Sequence, residues 1–190
     1  MTHIERQTKE TNIRLDLSLA TPGPVQIETG IGFFDHMLTA LAVHAGWSLT
    51  VHCDGDLHVC GHHSVEDVGI ALGMALQEAV GDKSGIARYG QAYIPMDEAL
   101  ARTVVDVSGR PFLVFDAAFS APMVGQFDTQ LVEEFFRALA MNAGMTLHIA
   151  LLYGKNDHHN IEAIFKSVAH ACRNALMPRD GLLSTKGVLQ

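Results

Sequence analysis

The sequence ALAVHAG at residues 40–46 returns 98 positions later as ALAMNAG at residues 138–144, with five of the seven residues identical. A second stretch, HHSVE at residues 62–66, returns 96 positions later as HHNIE at residues 158–162. Chance similarity between alanine-rich helices does not predict a second match at nearly the same offset. The chain is therefore predicted to be an internal duplication.

The periodicity of apolar residues is similar in the two halves. Alternation over residues 13–19 is typical of a half-buried strand, and helical spacing predicts one helix ending near Gly46 and another beginning at the HHxxE motif. In the second half, strands are predicted at 102–107, 112–115 and 147–151, and helices at 131–143 and 158–176. We expect an α+β fold in one domain of two similar two-layer units, about residues 1–90 and 91–190. Each unit is expected to be a mostly antiparallel sheet with two helices on one face.

Composition excludes several classes of protein. The 190 residues are 48% hydrophobic and carry a net charge of −8, which disfavours nucleic acid and anionic membrane surfaces as partners. No run of about 18 apolar residues predicts a membrane span. Cys53, Cys60 and Cys172 form an odd set without a CxxC motif, which indicates reduced thiols and a cytoplasmic protein.

Histidine and glutamate are grouped in the repeated HHxxE motif. Residues three or four apart share a helix face, so Glu66 lies on the side of His62 or His63, whereas adjacent histidines diverge by about 100°. This divergence indicates two metal ions, with ligands from both repeats. Imidazole and carboxylate donors suit Mn, Fe, Zn or Ni, and the residue types do not choose among them. The candidate ligands, including the aligned pair His36 and Glu134, are His36, His62, His63, Glu66, Glu134, His158, His159 and Glu162.

Six motifs occur in order along the chain. They are GFFDHM at 32–37, HHSVED at 62–67, DEAL at 97–100, SGRP at 108–111, HHNIEAIFK at 158–166 and STKG at 184–187. Together they resemble the imidazoleglycerol-phosphate dehydratase family of histidine biosynthesis, from about residue 6 to residue 189. The pattern departs from the family at Glu134, where relatives often carry histidine.

The resemblance implies a hydro-lyase that removes water from D-erythro-imidazole glycerol phosphate to give imidazole acetol phosphate. It implies a duplicated α+β fold, two Mn(II) ions per active site, and a homo-oligomer of 24 subunits with active sites between subunits. Glu10 is the first candidate for the catalytic base, and Glu66 and Glu162 are the next. Substrate contacts are implied for Glu10, Arg88, Arg110, Lys166, Ser184 and Lys186.

Other interpretations remain open at this point. A different dimetal lyase or hydrolase on a related duplicated scaffold would differ in its activity toward this substrate. A metal-storing shell would need the histidines, but it would not need the basic residues that suit a phosphate. Asp97 and Glu98 either orient the substrate or form a structural acid pair near Arg102.

Overall fold

The computed structural model describes residues 1–20, 22–185 and 187 of the chain. The first half contains β1 (Thr2–Gln7), β2 (Thr11–Ser18), β3 (Val25–Glu28), α1 (Gly32–Ala45), β4 (Ser48–Gly55) and α2 (His62–Val80). The second half contains β5 (Tyr89–Met96), β6 (Ala99–Asp106), β7 (Phe112–Asp116), β8 (Met123–Val124), β9 (Phe127–Asp128), α3 (Leu131–Ala143), β10 (Thr146–Tyr153) and α4 (Asp157–Ala175). None of the helices in the described ranges is long and apolar enough to cross a membrane.

The two four-stranded sheets have equivalent strand orders, β1-β2-β4-β3 and β5-β6-β10-β7. In each sheet the first strand is antiparallel to the second and the second to the third, whereas the fourth strand is parallel to the third. The short pair β8 and β9 is an addition between β7 and α3. The predicted α+β fold, duplicated and mostly antiparallel, is confirmed.

The helices pair across the repeats, α1 with α4 and α2 with α3, and each also packs on the sheet of its own half. The four helices therefore form a layer between the two sheets. Phe34 of α1, Phe135 of α3 and Phe165 of α4 are fully buried, and their rings are in contact. The hydrophobic core is thus shared by both halves of the chain.

Two glycines set the close approach of α2 and α3. A Cβ atom on Gly69 would lie 2.8 Å from the carbonyl oxygen of Phe135, and one on Gly73 would lie 2.8 Å from that of Leu139. Residue numbers increase along both helices from the first contact to the second, so α2 and α3 run in the same direction. The packing therefore brings the first turns of α2 and α3, which carry candidate metal ligands, to the same end of the helical layer.

Most predicted elements occur close to their predicted bounds. The helix at 131–143 has the predicted ends, and α4 begins one residue earlier and ends one residue earlier than predicted. Gly46 terminates α1 with φ of 75°, in the left-handed conformation that favours glycine. Five strands were not predicted from the periodicity, namely β1, β3, β5, β8 and β9.

Candidate metal centre and active site

Three candidate metal ligands meet where α1 packs against α4. One donor atom each from His36, His158 and Glu162 lies within 4.8 Å of the others. Oε2 of Glu162 is 3.2 Å from Nε2 of His158 and 3.6 Å from Nε2 of His36. We call this group the first triad. Its two imidazoles and one carboxylate are a donor set that suits a divalent transition metal ion.

The carboxylate of the first triad is nearly buried and lies beside a lysine. The Glu162 side chain is 9% exposed, and its Oε1 is 2.6 Å from Nζ of Lys166. Burial opposes ionisation of Glu162, but the Lys166 ammonium and the two imidazoles outweigh it and hold the pKa of this carboxyl below its usual range. The triad therefore presents an ionised carboxylate.

The equivalent group in the other repeat is more open, and we call it the second triad. It consists of His62, Glu66 and Glu134. Nε2 of His62 is 3.6 Å from Oε2 of Glu66, and His62 and Glu134 line one cavity of about 560 Å³. The Glu134 carboxylate is 3.6 Å from Nε of Arg137. Among the described residues, only the first triad brings three donor atoms within 4.8 Å of one another.

The second histidine of the first HHxxE motif faces a different set of groups. Nδ1 of His63 is 3.0 Å from Oδ2 of Asp56, and its Nε2 is 3.7 Å from Oε1 of Glu10. The hydrogen bond with Asp56 raises the pKa of His63. The rings of His62 and His63 are nearly perpendicular, at 87°, so their nitrogens face different directions.

The second motif repeats this arrangement with different acids. Nδ1 of His159 is 2.8 Å from Oε2 of Glu98, and the ring is at 83° to that of His158. Glu98 also accepts hydrogen bonds from the backbone N–H groups of Lys155 and Asn156. These bonds, with that of His159 first, lower the pKa of Glu98 to about 2. Glu98 therefore fastens the loop before α4.

A buried aspartate holds the turn that carries Glu10. Asp67, next to Glu66 on α2, accepts hydrogen bonds from Nη2 of Arg6 at 2.7 Å and from Oγ1 of Thr11 at 2.5 Å. Arg6 and Thr11 flank the turn between β1 and β2. The position of Glu10 is thus tied to the helix that carries His62 and Glu66.

Two of the basic residues expected to bind substrate meet at Asp106 of β6. Nε and Nη2 of Arg88 donate to the two carboxylate oxygens of Asp106 at 2.7 and 3.0 Å. Nη1 of Arg88 donates to the carbonyl oxygen of Leu183, which places Ser184 beside this cluster. Arg110 is 3.6 Å from the same carboxylate and its side chain is 60% exposed. Lys186 lies outside the described residues.

The candidate ligands and the arginine cluster lie at opposite ends of α4. The backbone N–H of Arg88 donates to the carbonyl oxygen of Ala175. Glu162 is 13 residues before Ala175, which corresponds to roughly 20 Å along a helix. One copy of the chain therefore holds the first triad and Lys166 far from the arginine cluster.

No role was predicted for Asp56, Asp67 or Arg137, although Asp67 ends the HHSVED motif. The contacts of Asp56 and Asp67 depend on how the chain packs, which spacing along the chain does not reveal, whereas Arg137 contacts Glu133 and Glu134 of its own helix. A weak signal exists for Asp67, because the repeat offset aligns this acid with Ala163. An acid that is present in only one repeat next to a shared motif indicates a contact specific to that repeat.

Comparisons with known proteins agree with this geometry. Residues 29–172 match the family described as imidazoleglycerol-phosphate dehydratase. A relative of that name from Streptococcus mutans is 57% identical and covers 98% of this chain and 97% of its own. The solved structure of the Staphylococcus aureus enzyme is 48% identical, with a TM-score of 0.84 over 94% of this chain and 99% of that one. The solved structure of IGPD from Pyrococcus furiosus in complex with (S)-C348 is 38% identical, with a TM-score of 0.87 over 98% of this chain and 100% of that one.

The duplicated fold, the histidine and glutamate clusters and these matches define the chain as a lyase, and more narrowly as a hydro-lyase. The chain belongs to the imidazoleglycerol-phosphate dehydratase family. The predictions of family and of enzyme class are confirmed. A metal-storing shell does not agree with these matches.

Proposed function

We propose that this chain acts in L-histidine biosynthesis and removes water from D-erythro-imidazole glycerol phosphate to give imidazole acetol phosphate. We propose two Mn(II) ions in each active site. The first triad is the observation that carries the proposal. Its carboxylate is ionised, and the side chains of His36 and His158 are 50% and 43% exposed, so their nitrogens are open to an ion and a ligand.

The ligands of the two ions are divided between the triads in this proposal. His36, His158 and Glu162 would hold one ion, and His62, Glu66 and Glu134 would hold the other. The rings of His63 and His159 are nearly perpendicular to those of His62 and His158, and we propose His63 and His159 as further ligands. When bound, the ions supply Lewis acidity toward the imidazole of the substrate.

Glu10 is the proposed base. It takes the proton from the carbon next to the one that loses its hydroxyl group. Glu10 lies at an exposed turn, and its carboxylate is directed toward the imidazole of His63. The equivalent Glu98 accepts three hydrogen bonds and its pKa of about 2 makes it a poor proton acceptor. Glu66 and Glu162, the other catalytic candidates, act as metal ligands in this scheme.

The phosphate group is assigned to the basic residues. Arg110 offers an exposed guanidinium, and Lys166 offers an ammonium next to the first triad. Arg88 fixes Asp106 and the chain near Ser184, and we propose that Ser184 and Lys186 complete the phosphate contacts. A small substrate does not span the roughly 20 Å between the triad and the arginine cluster of one copy. We therefore propose active sites built from neighbouring subunits of a homo-oligomer, with 24 subunits.

The two repeats, about residues 1–90 and 91–190, are proposed to act as one dehydratase domain because they share a core. We propose a cytoplasmic location on the basis of three free cysteines. The net charge of −8 favours a small-molecule partner over nucleic acid or an anionic membrane.

The test is a product assay with the purified chain. With imidazole glycerol phosphate and Mn(II), we expect one ketone product, imidazole acetol phosphate, detected by mass spectrometry. The same compound without its phosphate group is the matched control and should react far more slowly. The absence of product from the phosphorylated substrate would refute the proposed reaction.

A further inference from the structure

The two triads occupy equivalent positions in the repeats, yet one residue differs in type. The repeat offsets align His62 with His158, Glu66 with Glu162, and Glu134 with His36. The first triad therefore has two imidazoles and one carboxylate. The second triad has one imidazole and two carboxylates.

The triads also differ in the positive charge beside their carboxylates. In the first triad, Lys166 lies 2.6 Å from the single carboxylate. The residue that the repeat offset aligns with Lys166 is Ile70, so Glu66 has no equivalent ammonium beside it. Arg137 lies 3.6 Å from Glu134, but its closer partner is Glu133, at 2.7 Å. The two carboxylates of the second triad therefore repel each other with less neutralisation than the single carboxylate of the first triad receives from Lys166.

The cavity beside the second triad adds further oxygen donors. His62 and Glu134 line it together with Asp128, Gln126 and Gln130. These side chains offer carboxylate and amide oxygens, which suit Mn²⁺ and Mg²⁺. Cys60 and Met123 are the soft donors among the lining residues. Because a cysteine sulfur is a common zinc ligand, an experiment with zinc must remove Cys60.

We propose that Glu134 makes the two metal positions chemically unequal. The first triad is nitrogen-rich and favours borderline ions such as Zn²⁺, Co²⁺ and Ni²⁺, whereas the second triad is oxygen-rich and discriminates less against Mn²⁺. Glu134 is thus the residue that determines metal specificity at the second position. The inference rests on the ligand division of the proposed function, but not on the reaction.

The test counts displaced ions and does not measure turnover. The Cys60→Ser chain is loaded with Mn(II) and titrated with buffered free Zn(II), and released manganese is counted by electron paramagnetic resonance. We expect two phases, with one manganese released at low free zinc and the other only at about tenfold or more higher zinc, a difference typical of a changed ligand environment. One phase, or fewer than two bound manganese ions, would overturn the inference.

Two exchange variants assign the phases to residues. Glu134→His in the same background should merge the two phases at the lower zinc concentration. His36→Glu should instead move the first phase toward the second. Two phases that persist unchanged in the Glu134→His chain would overturn the role of Glu134. A two-phase zinc titration of a chain that dehydrates no substrate would refute the proposed function and leave this inference standing. Dehydration together with a single-phase titration would refute this inference and leave the proposed function standing.

Discussion

Glu10 and Glu98 occupy the same position in the two halves of the chain, each as the last residue before the second strand of its hairpin. Each carboxylate faces the second histidine of an HHxxE motif, at 3.7 Å from His63 and 2.8 Å from His159. The duplication therefore produced two similar acids, and their surroundings then separated their roles. Glu98 is fixed by backbone donors, whereas Glu10 stands at an exposed turn.

The first prediction concerns Glu10 as the base. Glu10→Gln keeps the size of the side chain but removes its ability to accept a proton. The value of kcat should fall by roughly 10² to 10⁴, the usual scale for loss of a general base, with bound metal unchanged. Glu5→Gln, an exposed acid of the same hairpin, is the control and should retain turnover. Near-normal turnover of Glu10→Gln would move the role to Glu66 or Glu162.

The second prediction concerns assembly. If ions are held where subunits meet, their binding free energy also contributes to assembly. Removing metal with a chelator should therefore shrink the particle, as measured by light scattering, and adding Mn(II) should restore it. His158→Ala should behave like chelated protein. A particle of unchanged mass after complete metal loss would show that the ions do not hold subunits together.

The third prediction concerns pH. Nδ1 of His44 on α1 is 3.2 Å from Nε2 of His170 on α4, and burial, followed by the nearby Lys166 and His170, lowers the pKa of His44. In the pH range just below its ordinary pKa, His44 of the unfolded chain binds a proton, whereas His44 of the folded protein stays neutral. The contribution of His44 to the free energy of unfolding should therefore fall as pH decreases below about 6.5.

His44→Gln tests this pH dependence because glutamine binds no proton. Denaturant unfolding of both chains between about pH 7 and about pH 5.5 should give a smaller loss of stability for His44→Gln. Equal losses in the two chains would show that His44 is not responsible.

The fourth prediction concerns the contact between α2 and α3. Gly73→Ala places a methyl group 2.8 Å from the carbonyl oxygen of Leu139, which must move. Overpacking of about 1 to 3 kcal/mol exceeds the gain in helix propensity of about 1 kcal/mol, so Tm should fall. Gly32→Ala is the control, because nothing lies within 4 Å of its Cβ position. An unchanged Tm for Gly73→Ala would contradict the close packing.

Sequence periodicity predicted the helices well because their apolar residues face a single core. The stripe from Leu131 to Ala143 and the glycine after it define α3 fully. Strand β1 was missed because only one of its three inward residues, Ile4, is apolar, and β5 was missed because Gly90 and Pro95 interrupt its pattern. Both strands are held by hairpin pairing with the next strand along the chain, and the apolar periodicity of one segment does not show such pairing.

The candidate site could be predicted in part for the same reason. Spacing on one helix put His158 and Glu162 on a shared face, and the repeat added His36 as a candidate ligand. The grouping of these three residues required the packing of α1 against α4. The anchoring of Arg6 by Asp67 depends on packing between elements, whereas Glu134 and Arg137 are an i,i+3 pair within α3. The separation of Lys166 from the arginine cluster likewise required the fold.

Reconstitution of metal-free protein tests the central claim most directly. Chelated chain is loaded stepwise with Mn(II), and bound metal and the rate of imidazole acetol phosphate formation are measured on the same samples. We predict no turnover without metal and a rate that rises with bound Mn(II) up to two ions per chain. Full turnover by protein shown to be free of metal would contradict the account.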